Sequence, residues 1–114
     1  MSSGWIGVDF DGTIAEYHGW KNPNNGKPIP EMVTRVKKWL SEGRTVKIFT
    51  ARVCYNDMQG ERAGVQAWCL EHLGQVLEVT CEKDYGMIEL YDDRAVQVET
   101  NTGRVLNEST RGLL

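Results

Sequence analysis

Apolar positions in this chain come in short bursts, and their spacing alternates between continuous runs and helical repeats. Trp5-Ile6-Gly7-Val8-Asp9-Phe10 is a mostly apolar run ended by Asp11-Gly12-Thr13, which predicts a buried strand stopping at a polar turn. Residues 14 to 28 are rich in glycine, proline, asparagine and lysine, so they predict an irregular flap. Met32, Val33, Val36, Trp39 and Leu40 then recur at helical spacing. With Pro30 suited to a first turn and Gly43 able to close the end, a helix is expected over residues 30 to 42.

The β-branched run Arg44-Thr45-Val46-Lys47-Ile48-Phe49-Thr50 predicts a second strand, with one face less buried because its apolar positions alternate. Asn56 and Gln59 have capping-box spacing, and Val65, Trp68, Cys69 and Leu73 make an apolar stripe ending at Gly74; a second helix is expected over 57 to 73. Strands are expected at 76 to 80 and 87 to 91. Residues 95 to 99 predict a fifth, with a hairpin return through Asn101-Thr102-Gly103 to 104 to 106. The last eight residues read as a loose tail. Strands alternating with helices argue for a mainly parallel α/β sheet joined by right-handed crossovers.

At 114 residues the chain fits one domain, since compact domains most often hold about 100 to 150 residues. A content of 40% hydrophobic and 25% charged residues is that of a globular protein and excludes a disordered or fibrous one. The net charge of −3 offers no dedicated nucleic-acid footprint. No apolar stretch approaches the roughly 20 residues needed to cross a bilayer, and the first residues lack signal-peptide features. The cytoplasm is therefore the expected location, with no membrane partner. Cys54, Cys69 and Cys81 are odd in number and form no C-x-x-C pair, so neither a disulfide framework nor a zinc site is suggested and they read as reduced thiols. His18 and His72 match no ligand spacing.

Chemically able residues follow the expected strands: Asp9 and Asp11, then Thr50, then Lys83, then Asp92 and Asp93. Those are C-terminal strand ends, where open α/β sheets bind ligands. The string Asp9-Phe10-Asp11-Gly12-Thr13 arises by chance on the order of 10⁻⁷ per window. With the motifs at Thr50, Lys83 and Asp92-Asp93 in order behind it, the chain resembles the haloacid dehalogenase superfamily across nearly its whole length. The expected fold is a Rossmann-like three-layer α/β/α sandwich with a mainly parallel five-stranded sheet and no cap domain. The resemblance places the first strand between the second and the fourth.

What the resemblance implies is a phosphatase. Asp9 would be the nucleophile that forms an aspartyl-phosphate, and Asp11 the general acid and then base. Thr50 would hold a phosphoryl oxygen and Lys83 would balance charge. The two aspartates divide tasks that one carboxylate cannot perform at once, attack on phosphorus and proton delivery. Phe10 between them would point into the core, and Gly12 would let the backbone turn. So many carboxylates around a phosphate call for a hard divalent cation, and Mg2+ fits oxygen ligands best. The implied ligands are Asp9, the Asp11 main-chain carbonyl and Asp92, with Asp93 orienting waters or sharing the role. Relatives ending similarly in Asp-Asp-Arg-Ala commonly carry proline after the third-motif lysine, whereas Asp84 follows Lys83 here.

Arg52 lies near enough in sequence to reach a phosphate but reads equally as a solvated loop arginine. Tyr17, His18 and Trp20 could stack on a substrate ring or close a core edge. A signalling receiver domain uses similar ingredients, but carries its adjacent acidic pair first; here Asp-x-Asp comes first and the pair last. A silent phosphate-binding relative is the third reading. With no large cap segment the site should be open. The favoured substrate is a small phosphate ester or nucleotide, with a nucleic-acid end or phosphoprotein as the alternative, and a neighbouring subunit in a homo-oligomer could cover the site.

Overall fold

A computed structural model of the protein describes residues 4–19, 25–55 and 60–106. The first strand, β1, spans Trp5–Val8 and is followed by the helix α1, Pro30–Ser41. Next come β2, Thr45–Phe49, a single 3-10 turn at Ala51–Val53, and α2, Glu61–Leu73. Two further strands, β3 at Val79–Thr80 and β4 at Met87–Tyr91, complete a parallel sheet in the order β3-β2-β1-β4. Thus β1 lies between β2 and β4. Pro30 opens α1, as expected, and Gly43 just beyond its end has the left-handed φ of 80° that closes it. Gly74 does the same for α2 with φ 87°. The proposed capping pair Asn56 and Gln59, Trp20 in the flap, and the tail from residue 107 lie outside the described residues.

Pleat parity shows where the core sits. Ile6, Val8, Val46 and Ile48 share one face, and all belong to one buried cluster with Met32 and Val36 of α1 and Val65, Trp68, Cys69 and Leu73 of α2. Both helices therefore cover the same face, as two successive right-handed crossovers moving in one direction require. Phe10 is fully buried and meets Trp68 edge-on at 5.0 Å, fixing the end of β1 against α2. Trp39 of α1 packs against Tyr91 of β4 at 4.9 Å.

The opposite face carries Trp5, Gly7, Lys47 and Phe49. Lys47 Nζ sits 4.5 Å from the Trp5 ring centroid, and the Trp5 indole donates to Asp84 at 2.9 Å. The chain from β3 to β4 returns over this face with no helix between them. Among the described residues the architecture is thus two layers with four strands, which corrects the expected three layers and five strands. Residues 95 to 106 do turn back as a hairpin, but pair with each other through a single bridge, Val98 to Val105, and leave β4 as the sheet edge. The expected third strand is also shorter, because Val76 is exposed and only Val79 and Thr80 pair with β2.

Candidate active site

The tips of β1 and β4 build the site. The Asp9 N–H donates to the Tyr91 carbonyl at 2.9 Å, so the ladder between the two strands ends where Asp9 meets Asp92 and Asp93. The next turn winds tightly: the Phe10 carbonyl accepts from the N–H groups of Thr13, Ile14 and Ala15 at 3.3, 3.2 and 3.0 Å. Gly12 has φ 87°, and a Cβ there would lie 2.7 Å from Asp93 Oδ2. Glycine is required both for the left-handed turn and for the carboxylate beside it.

Ligand oxygens of Asp9, Asp92 and Asp93 lie within 4.8 Å of one another. Thr13, buried and absent from the expected set, ties them together. Its hydroxyl accepts from the Asp93 N–H at 3.0 Å and lies 3.0 Å from Asp93 Oδ1 and 3.3 Å from Asp9 Oδ2, either of which can take its proton. Asp92 Oδ1 accepts from the Arg94 N–H at 2.8 Å. Burial pushes the Asp9 carboxyl up to about 7, helped by its hydrogen bond with Asp93 and the charges of Asp92 and Asp93 and opposed by the Thr13 hydroxyl. This is a place short of positive charge. The donor set, three carboxylates that crowd one another, fits a hard, oxygen-preferring cation such as magnesium.

Asp11 faces elsewhere. Arg52 grips it with a two-pronged fork, Nε to Oδ2 at 2.9 Å and Nη2 to Oδ1 at 2.7 Å. The same guanidinium donates from Nη1 to Asn25 Oδ1 at 2.7 Å and to Glu61 Oε1 at 3.2 Å, and lies 5.2 Å from the Phe10 ring centroid. Its side chain is only 9% exposed, so the reading of a solvated loop arginine is corrected. Nothing in the spacing of Thr50-Ala51-Arg52 announces this, because the 3-10 turn that folds Arg52 back over Phe10 is a tertiary feature.

Thr50, buried at the tip of β2, accepts the Arg52 N–H at 3.2 Å and donates its own N–H to the Thr80 carbonyl at 2.8 Å. Its hydroxyl caps the 3-10 turn, and among the described residues no hydrogen bond joins it to Asp9. Lys83 is exposed and makes no hydrogen bond or ion pair among the described residues, so the structure does not bring it to the carboxylates. Tyr17 is exposed, and His18 lies 3.3 Å from Glu16 in the open flap.

No protein-family model matches the chain, and no curated protein matches it. Among solved structures it is similar to that of a conserved protein coded by a locus of Bacteroides thetaiotaomicron. The TM-score is 0.57 at 26% identity, covering 83% of this chain and 79% of that one.

Proposed function

We propose that this protein is a magnesium-dependent phosphatase that hydrolyses a phosphate monoester through an aspartyl-phosphate on Asp9. The observation that carries the reading is the meeting of Asp9, Asp92 and Asp93 at the tips of neighbouring parallel strands, with Asp11 two residues on. Their place also supports it. The chain leaves β1 for β2 on one side and reaches β4 on the other only after crossing back, which makes the end of β1 a topological switch point.

Asp9, Asp92, Asp93 and the Asp11 carbonyl are the groups that would hold magnesium. When bound, the ion would balance the carboxylates and draw negative charge from the phosphoryl oxygens. The residues do the rest. Asp9 attacks phosphorus; Asp11, once free of the Arg52 fork and protonated from solvent, gives that proton to the departing ester oxygen and then takes a proton from the water that opens the aspartyl-phosphate. To reach the leaving oxygen, the Asp11 carboxyl must turn out of the Arg52 fork, so a substrate phosphate drawn to Arg52 would release it. Thr50 shapes that turn and would offer its hydroxyl to a phosphoryl oxygen, and Lys83 would have to swing inward to reach it.

The test is release of phosphate from a generic aryl phosphate with and without magnesium. Magnesium-dependent turnover that falls at least about 10³-fold in Asp9→Asn is expected; undiminished hydrolysis by that variant overturns the proposal. A small phosphate ester or nucleotide remains the favoured substrate. Parallel assays on nucleotides, sugar phosphates, phosphopeptides and phosphorylated oligonucleotides decide between that class and a macromolecular end.

A further inference from the structure

We propose that Cys54 and Cys81 form a modification site, a dithiol that reacts with a small disulfide of the oxidised-glutathione class and closes into an internal disulfide. The site is separate from the phosphoester chemistry and does not depend on it.

The sheet brings the two residues together. Phe49 of β2 pairs with Thr80 of β3, and the Thr50 N–H donates to the Thr80 carbonyl at 2.8 Å, so both strands end side by side. One residue later β3 reaches Cys81. The 3-10 turn folds the other chain back over the same end, held by the Cys54 N–H on the Ala51 carbonyl at 3.1 Å. Both cysteines thus follow the same junction of β2 and β3, and the nearby Cys81 side chain is the largest influence on the acidity of the Cys54 thiol. A disulfide tolerates only a narrow range of Cα separations, and two cysteines carried by neighbouring chain segments beyond one strand pair are placed to meet it. Access is also favourable: Cys54 is exposed and Cys81 partly so, whereas Cys69 is buried in the core.

The chemistry balances in two exchanges. One thiolate attacks the small disulfide, forming a mixed disulfide and releasing one small thiol; the second thiolate attacks the protein sulfur of that adduct and releases the other. The protein loses two protons and two electrons, and the co-reactant leaves as two thiols. The nearby Cys81 side chain, slight burial and the Glu82 carboxylate hold the Cys54 thiol above its ordinary value of 9.0, so exchange is favoured on the alkaline side. Burial pushes Cys69 up to about 12 and keeps it out of the reaction. Closure would join the turn carrying Thr50 and Arg52 to the loop carrying Lys83.

The full chain, reduced and then freed of reductant, is incubated natively with oxidised glutathione at mildly alkaline pH. It is then alkylated and read by intact mass and peptide mapping. The expected product is monomeric, lighter by two hydrogens before alkylation, with Cys69 as the one thiol still alkylated after unfolding and a single cross-linked peptide joining Cys54 to Cys81. The Cys54→Ser variant should stop at a glutathione adduct on Cys81. Persistence of both thiols, separate adducts on both cysteines, or a cross-link between two chains would each overturn the proposal.

Discussion

A carboxyl group half-buried between two others holds its proton late, and Asp9 pays that electrostatic cost whenever no cation is present. Its carboxyl is raised from 3.8 to about 7 in the folded protein. The folded state therefore binds this proton more tightly than the unfolded chain. The associated stability is full below pH 3.8 and is lost as pH rises through about 7. Asp9→Asn removes this loss. By urea titration, the variant should gain on the wild type as pH rises from about 5 to 8, reaching about 1–2 kcal/mol after solvent screening is allowed for. Added magnesium should narrow the gap by stabilising the wild type alone, and a gap independent of pH would contradict this account. Thr13 makes a second case. Thr13→Val keeps the shape but strands the Asp93 N–H, so a loss of about 1–2 kcal/mol and at least about tenfold in phosphate release are expected, with Thr13→Ser largely restoring both. Asp9, Asp92 and Asp93 were legible in the sequence because each stands just after a run that reads as a strand. Thr13 was not legible, since a threonine closing a turn is common and its bond to Asp93 spans eighty residues of chain.

At the scale of elements, Arg52 joins three segments: the turn after β1 through Asp11, the end of the flap through Asn25, and the first turn of α2 through Glu61. A lysine in its place keeps the charge but cannot make the fork. In a double-mutant cycle, Arg52→Ala and Asp11→Asn should couple by about 1–3 kcal/mol in denaturant unfolding. Arg52→Lys should lose stability relative to wild type. Additive effects would mean that the fork holds nothing together. Helices α1 and α2 were readable from their stripes, and the structure gives Pro30–Ser41 and Glu61–Leu73 against the expected 30 to 42 and 57 to 73. The face each helix covers was not readable. A helical stripe records that a partner exists but not the side of the sheet on which it lies, and here a helixless return from β3 to β4 leaves the second face to Trp5, Lys47 and the residues near Asp84.

For the whole molecule, the consequence is an uneven distribution of stability. Residues 95 to 106 have the alternation and the turn residues of a strand pair, which is why they read as part of the sheet. Alternation, however, requires a buried face to select its register, and here Val96, Val98, Val105 and Leu106 all remain exposed. The hairpin is held by its own bonds, Glu99 N–H to the Arg104 carbonyl at 2.7 Å and Leu106 N–H to the Gln97 carbonyl at 2.8 Å, with Arg104 and Glu99 paired at 3.2 Å. Two strands without a core are marginal in water. Their short hydrogen bonds should therefore give little protection. In native-state hydrogen exchange, the amides of Glu99 and Leu106 should exchange through local opening, hardly slowed by conditions that stabilise the sheet. The Ile48 amide, bonded to the Glu78 carbonyl at 2.9 Å beneath both helices, should exchange only with global unfolding. Val98→Lys should change global stability by less than about 0.5 kcal/mol, whereas Val65→Ala, at a fully buried position on α2, should cost about 2 kcal/mol. Equal protection of the Glu99 and Ile48 amides would show instead that the hairpin folds as one unit with the sheet, and that the end of β4 carrying Asp92 and Asp93 is braced from both sides.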